Sequence, residues 1–149
     1  MIFDEKFKEK HIEFCKREIR KRGEMGPFIV VFKGGRGLIL PIPTIDKNHR
    51  AGDWIQRAID LFYPDAYVFS TTGWFIEVKD PSKYKYGDAT KHPMRKEILS
   101  CLFVEGDRKE MRIFEIKRLE RHIVFEPLKE PENVEGDVVR PLPKPMGVV

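Results

Sequence analysis

Ala66-Tyr67-Val68-Phe69-Ser70-Thr71-Thr72-Gly73-Trp74-Phe75-Ile76-Glu77-Val78-Lys79 is the stretch on which the fold turns. β-Branched and aromatic residues dominate it, which marks extended structure. It reads either as one long strand, bulged at Gly73, or as a hairpin turning near Thr72. Residues i and i+2 of a strand share a face, so Glu77 and Lys79 point together in both readings. In a hairpin with a three-residue loop, Ser70 stands opposite Trp74 and Asp65 opposite Lys79, which puts Asp65 on the face of Glu77. A two-residue loop at Thr72-Gly73 turns Asp65 to the other side. In a single strand, Asp65 and Glu77 are separated by on the order of 40 Å.

Upstream, residues 48–62 carry Ala51, Trp54, Ile55, Ala58, Ile59 and Phe62 at three- and four-residue steps, the apolar stripe of a helix lying on a sheet. Asp46 or Asn48 can cap its start and Pro64 stops it. Before it, Phe28 to Phe32 and Leu38 to Leu40 flank Lys33-Gly34-Gly35-Arg36-Gly37. A strand follows these glycines, not a helix, and the spacing is not that of a phosphate-binding loop, so a hairpin is expected. Pro41 and Pro43 end its second strand. Residues 4–22 form a further helix, capped by Asp4, closed by Gly23, with Phe7, His11, Phe14, Cys15 and Ile19 on its apolar stripe. His11 there is expected to be a packed, hydrogen-bonded side chain.

Downstream, residues 80–95 read as a polar loop, 97–105 and 110–118 as strands joined by Glu105 to Lys109, and Arg121 to Glu126 as a last short strand. The expected class is α+β: a mostly antiparallel sheet of five to six strands with two amphipathic helices on one face or both, in the order α-β-β-α-β-β-β with a terminal β added in the longer version. Residues 1–126 make one domain. Residues 127–149, with Pro141, Pro143 and Pro145 close together, make an extended tail that lies along the body or reaches a second copy.

The chain has 149 residues, of which 41% are hydrophobic, enough for one ordinary core and too many for a disordered chain. No apolar run is long enough to span a bilayer. Met1 to Lys10 is charged throughout and lacks the apolar segment of a secretory leader, so a cytoplasmic location is expected. Amide side chains are confined to Asn48, Gln56 and Asn133, while Lys, Glu, Arg and Ile abound. That balance points to a hyperthermophilic, archaeal-like source, where ion pairs are many and thermolabile groups few. The net charge of +4 is mild. Its densest cluster, Lys16, Arg17, Arg20, Lys21 and Arg22, falls where cations suit a helix C-terminus.

Chemistry-bearing motifs are sparse. Cys15 and Cys101 each sit in an apolar pattern outside any CxxC pair and read as small buried hydrophobes in a reducing compartment. His11, His49, His92 and His122 show no HxH or HExxH spacing. Lys91-His92-Pro93 resembles half of the HxHP segment of metal-dependent deubiquitinase-like proteases, but Thr90 replaces the first histidine and the Ser-x-x-Asp is missing. Ser70, Ser82 and Ser100 lie outside any GxSxG elbow.

Pro64-Asp65 followed by Glu77-Val78-Lys79 resembles the PD-(D/E)xK motif of metal-dependent nucleases. That resemblance implies Asp65 and Glu77 as Mg²⁺ ligands and Lys79 as the group that orients the attacking water. It depends on the hairpin with the three-residue loop. A second resemblance covers about residues 50–118. Val68-Phe69-Ser70-Thr71-Thr72-Gly73-Trp74, then Pro93-Met94-Arg95-Lys96-Glu97 and the strand to Val104, is similar to small uncharacterised prokaryotic and phage domains. These read V-F-V-S-E-A-W where this chain has Thr72 for the glutamate. The likeness implies a long strand, a connection and an antiparallel pair, and it carries no activity. Arg95 and Glu97 are expected to share a strand face, as an ion pair or as the lining of a small site.

Lys83, Tyr84, Lys85, Tyr86 and Lys91, with His92, form a basic loop interleaved with aromatics, a composition that can stack bases and grip phosphates. The leading expectation is a binding or interaction domain without catalytic machinery or cofactor, whose partner is a second copy or another protein. The Mg²⁺-dependent nuclease and the nucleic-acid-binding module are the alternatives.

Overall fold

The computed structural model describes residues 2–76, 80–83, 85, 88–130 and 138–143. Helix α1 runs Glu5–Arg22. The Asp4 carboxylate accepts from the Phe7 amide at 2.8 Å, and Gly23, at φ 83°, closes the helix by donating to the Ile19 carbonyl. Both ends follow from local residue chemistry: an acceptor for an orphan amide, and a residue that tolerates positive φ.

Strands β1 (Phe28–Lys33) and β2 (Arg36–Pro41) pair antiparallel around Gly34 and Gly35, both at positive φ. Helix α2 spans Ala51–Phe62, three residues shorter at its start than the sequence suggests. Asp46 accounts for the difference. Its Oδ1 accepts from the Asn48 and His49 amides at 2.8 and 2.7 Å, so the side chain closes its own turn instead of capping the helix. Arg50 occupies the cap without a side-chain hydrogen bond.

Strand β3 (Ala66–Phe75) is single and unbulged. It pairs with β4 (Lys96–Glu105) in unbroken register from Ala66↔Glu105 to Phe75↔Lys96. Gly73 stays in the ladder opposite Ile98. The hairpin needed to bring Asp65 back toward the end of this stretch is not formed. Strands β5 (Arg108–Arg118) and β6 (Ile123–Pro127) complete an all-antiparallel sheet in the order β2-β1-β3-β4-β5-β6. Two helices and this six-stranded sheet, in the order α-β-β-α-β-β-β-β, make an α+β fold.

Both faces of the sheet are covered. Along β3, Ala66 and Val68 join Ile12, Cys15 and Ile19 of α1 in one core, with Phe28, Val30, Leu99, Cys101 and Phe103. Tyr67 and Phe69 join Ile55, Ala58 and Ile59 of α2 in the other, with Ile29, Val31, Leu102 and Val104. This is the strand's two-residue alternation turned into two cores. Val138, Val139 and Leu142 pack on the α2 side, so this part of the tail lies along the body. The Tyr67 hydroxyl fixes it by donating to the Val138 carbonyl and accepting from the Arg140 amide, at 2.8 and 2.9 Å.

Candidate functional sites

Asp65 has a structural role. Its amide donates to the Phe32 carbonyl at 2.7 Å, and its Oδ2 accepts from the Gly34 amide at 3.0 Å, clamping the β1–β2 turn. From there β3 carries the chain away over ten residues, roughly 33 Å, to Phe75. Glu77 and Lys79 lie outside the described residues. Of the basic loop, Lys83, Lys85 and Lys91 are exposed, while Tyr84 and Tyr86 are outside the described residues. The Lys85 amide donates to Asp88 Oδ2 at 2.7 Å, and the Lys91 amide to the Asp88 carbonyl, so one aspartate organises both ends of this segment.

Arg95 and Glu97 do not pair as expected. Strand β4 begins at Lys96, so Arg95 precedes the strand. Its guanidinium lies over the Trp74 ring, 4.7 Å from the centroid, and Glu97 instead holds Arg118 at 2.8 and 3.1 Å. The basic end of α1 is likewise engaged. The Lys16 ammonium lies over Phe114 at 4.5 Å and the Arg20 guanidinium over Phe125 at 4.9 Å, while Arg22 pairs with Glu18. Lys16 and Arg20 thereby seat the helix on β5 and β6.

The two edges of the sheet differ. On β6, Glu126 pairs with Lys117, Pro127 ends the strand, and the α1 cations cover Phe125. Charge and proline of this kind blunt an edge. The inner part of β2 reads Gly37-Leu38-Ile39-Leu40, with no charge. Leu38 is 46% exposed and Ile39 57% exposed. Their side chains emerge on opposite faces, since Ile39 stands beside Val30 of the α1 core and Leu38 beside Val31 of the α2 core. Exposed Phe14 packs edge-on to Phe28, which stands opposite Pro41, and exposed Tyr63 takes the Lys33 ammonium on its ring. Apolar surface therefore flanks this edge on both faces.

A second feature lies between α1 and the centre of the sheet. His11 and Cys15 are one helical turn apart on the inner face of α1, and Ser70 and Cys101 are cross-strand partners on β3 and β4 beneath them. His11 Nε2 is 2.7 Å from Ser70 Oγ and 3.7 Å from Cys15 Sγ. The ligand atoms of His11, Cys15 and Cys101 all lie within 4.8 Å of one another. Cys15, Ser70 and Cys101 have no exposed surface, and both thiols are free. The rings of Phe7, Phe28 and Phe103 surround the imidazole at 5.7–6.4 Å. The two thiols face one another across the helix–sheet interface. Interaction with Cys15, aided by His11 and Ser70, outweighs desolvation and lowers the pKa of Cys101, while interaction with Cys101 and burial raise that of Cys15.

Sequence reasoning had the burial of both cysteines and the packed, hydrogen-bonded state of His11, but not their convergence. The local signal was His11 and Cys15 at i and i+4 on one helix face. Cys101 joins them only through the pairing of β4 with β3. Comparison with protein families, with curated proteins and with solved structures finds no match for this chain.

Proposed function

We propose that the protein is a non-catalytic interaction domain that joins a second copy of itself through the β2 edge. The observation that carries this is the uncharged strand Gly37-Leu38-Ile39-Leu40, whose outer edge pairs with no strand among the described residues and whose exposed apolar side chains emerge on both faces. An unpaired strand presents a row of amides and carbonyls to any second strand. Antiparallel pairing of β2 with β2 of another copy satisfies that row about a two-fold axis and makes one sheet of two six-stranded halves. Burying Leu38 and Ile39 on its two faces adds a hydrophobic term that backbone pairing alone lacks. Arg36 and Pro41 sit at the strand ends and so leave the middle free to pair.

The ion pairs joining α1 to β5 and β4 to β5 fit a chain from a hyperthermophilic prokaryote, and the two free thiols fit a reducing cytoplasm. No helix among the described residues is long and apolar enough to cross a membrane.

Light scattering coupled to size exclusion tests the reading. Wild-type chain is expected to run at twice its 17.6 kDa mass, and the Leu38→Lys/Ile39→Lys variant at the single mass with an unchanged circular dichroism spectrum. A wild type that stays single at high micromolar concentration contradicts it.

A further inference from the structure

We propose that His11, Cys15 and Cys101, with Ser70 completing the set, form a tetrahedral site for a borderline-soft divalent metal ion, with zinc the best match. Two thiolates, one imidazole and one oxygen are a donor set that zinc accepts, with the fourth position held by Ser70 or left for water. Zinc bonds of about 2.0–2.1 Å to nitrogen and about 2.3 Å to sulfur set a tetrahedral N···S edge of about 3.6 Å. His11 Nε2 and Cys15 Sγ lie 3.7 Å apart. Ser70 Oγ, at 2.7 Å from the same nitrogen, is inside the N···O edge of about 3.4 Å, and rotation about its Cα–Cβ bond opens that gap.

Charge selects the ion. The cluster lies in an apolar core walled by Phe7, Phe28 and Phe103, where an unbalanced charge is costly. Two thiolates and a neutral imidazole cancel a divalent cation, whereas a monovalent ion leaves a buried negative charge. Among the described residues no carboxylate belongs to the cluster, so oxygen-seeking Mg²⁺ and Ca²⁺ find too few donors.

Position supplies the consequence. The first two ligands are on α1, and the others are on the two central strands, β3 and β4. A bound ion therefore ties the helix to the middle of the sheet, and its binding energy adds to the stability of the fold.

Cobalt(II), which reports tetrahedral thiolate coordination by its visible bands, provides the test. Metal-free full-length chain titrated with cobalt is expected to develop a thiolate charge-transfer band and strong d–d bands that saturate at one ion per chain. Equimolar zinc should erase them. The bands should be absent from the Cys15→Ala/Cys101→Ala variant, and His11→Gln should weaken zinc by roughly tenfold or more. Zinc should raise the wild-type melting temperature, reversibly with a chelator, and leave that of the double variant unmoved. A wild type that is folded by circular dichroism yet takes up no cobalt overturns the proposal, whether or not the variants fold. So do bands that persist without the two thiols, and so does closure of a Cys15–Cys101 disulfide in place of metal uptake.

Discussion

Tyr67 shows how much one side chain can hold. It is fully buried, and its hydroxyl is the junction of two hydrogen bonds to the chain at Val138 and Arg140. Tyr67→Phe leaves that carbonyl and that amide without their partner. It is expected to cost about 1–2 kcal/mol, read as a lower urea midpoint at unchanged slope. Burial, only partly offset by Arg140, also raises the pKa of the phenol. A group that holds its proton more tightly folded than unfolded stabilises the fold below its unfolded pKa of about 10. That contribution is lost as the pH rises through the folded value, so wild type should lose stability on the alkaline side more steeply than Tyr67→Phe. A phenylalanine that matches wild type at every pH would show that the tail contact carries no weight.

The elements themselves were legible where their signals are local. Asp4 and Gly23 mark the ends of α1 through their own conformations, and Gly34 and Gly35 mark the β1–β2 turn in the same way. Where a side chain had two local options, the sequence misled: Asp46 closes a turn and so delays α2. The stretch from Ala66 onward was ambiguous because Thr71-Thr72-Gly73 suits a turn as well as a strand. Pairing with β4, thirty residues away in sequence, decides it. The same long-range register brings Cys101 beneath His11 and Cys15, which no local pattern announces.

Helix α1 is joined to β5 by Lys8 with Glu110 and by Arg112 with Glu5. Partial burial desolvates Glu110 and acts to raise its pKa, but hydrogen bonds from Lys8 and Arg112 outweigh that and hold it below the usual range. A lowered acid stabilises the fold above its unfolded pKa, and the contribution disappears as the pH falls through the folded value. Glu110→Gln is therefore expected to cost about 0.5–1 kcal/mol at pH 7, a difference that shrinks steadily as the pH falls below the ordinary carboxylate range and through the lowered folded value, by thermal melts across a pH series. A difference that stays constant across the series would assign the loss to packing instead of charge.

At the scale of the whole molecule, one sheet has helices on both faces and two edges of opposite character. The β6 edge is guarded by Glu126, Pro127 and the cations of α1, whereas β2 offers an uncharged backbone row. The asymmetry was partly visible in the sequence, since Gly37 to Leu40 lacks a charge in a chain that is 35% charged. That this run lies at an edge was not, because strand order is a property of the closed sheet. Amide hydrogen exchange as a function of protein concentration tests this asymmetry most directly. Residues 36–41 are expected to gain protection as concentration rises, and residues 123–127 are not. Protection of β2 that is independent of concentration would contradict it.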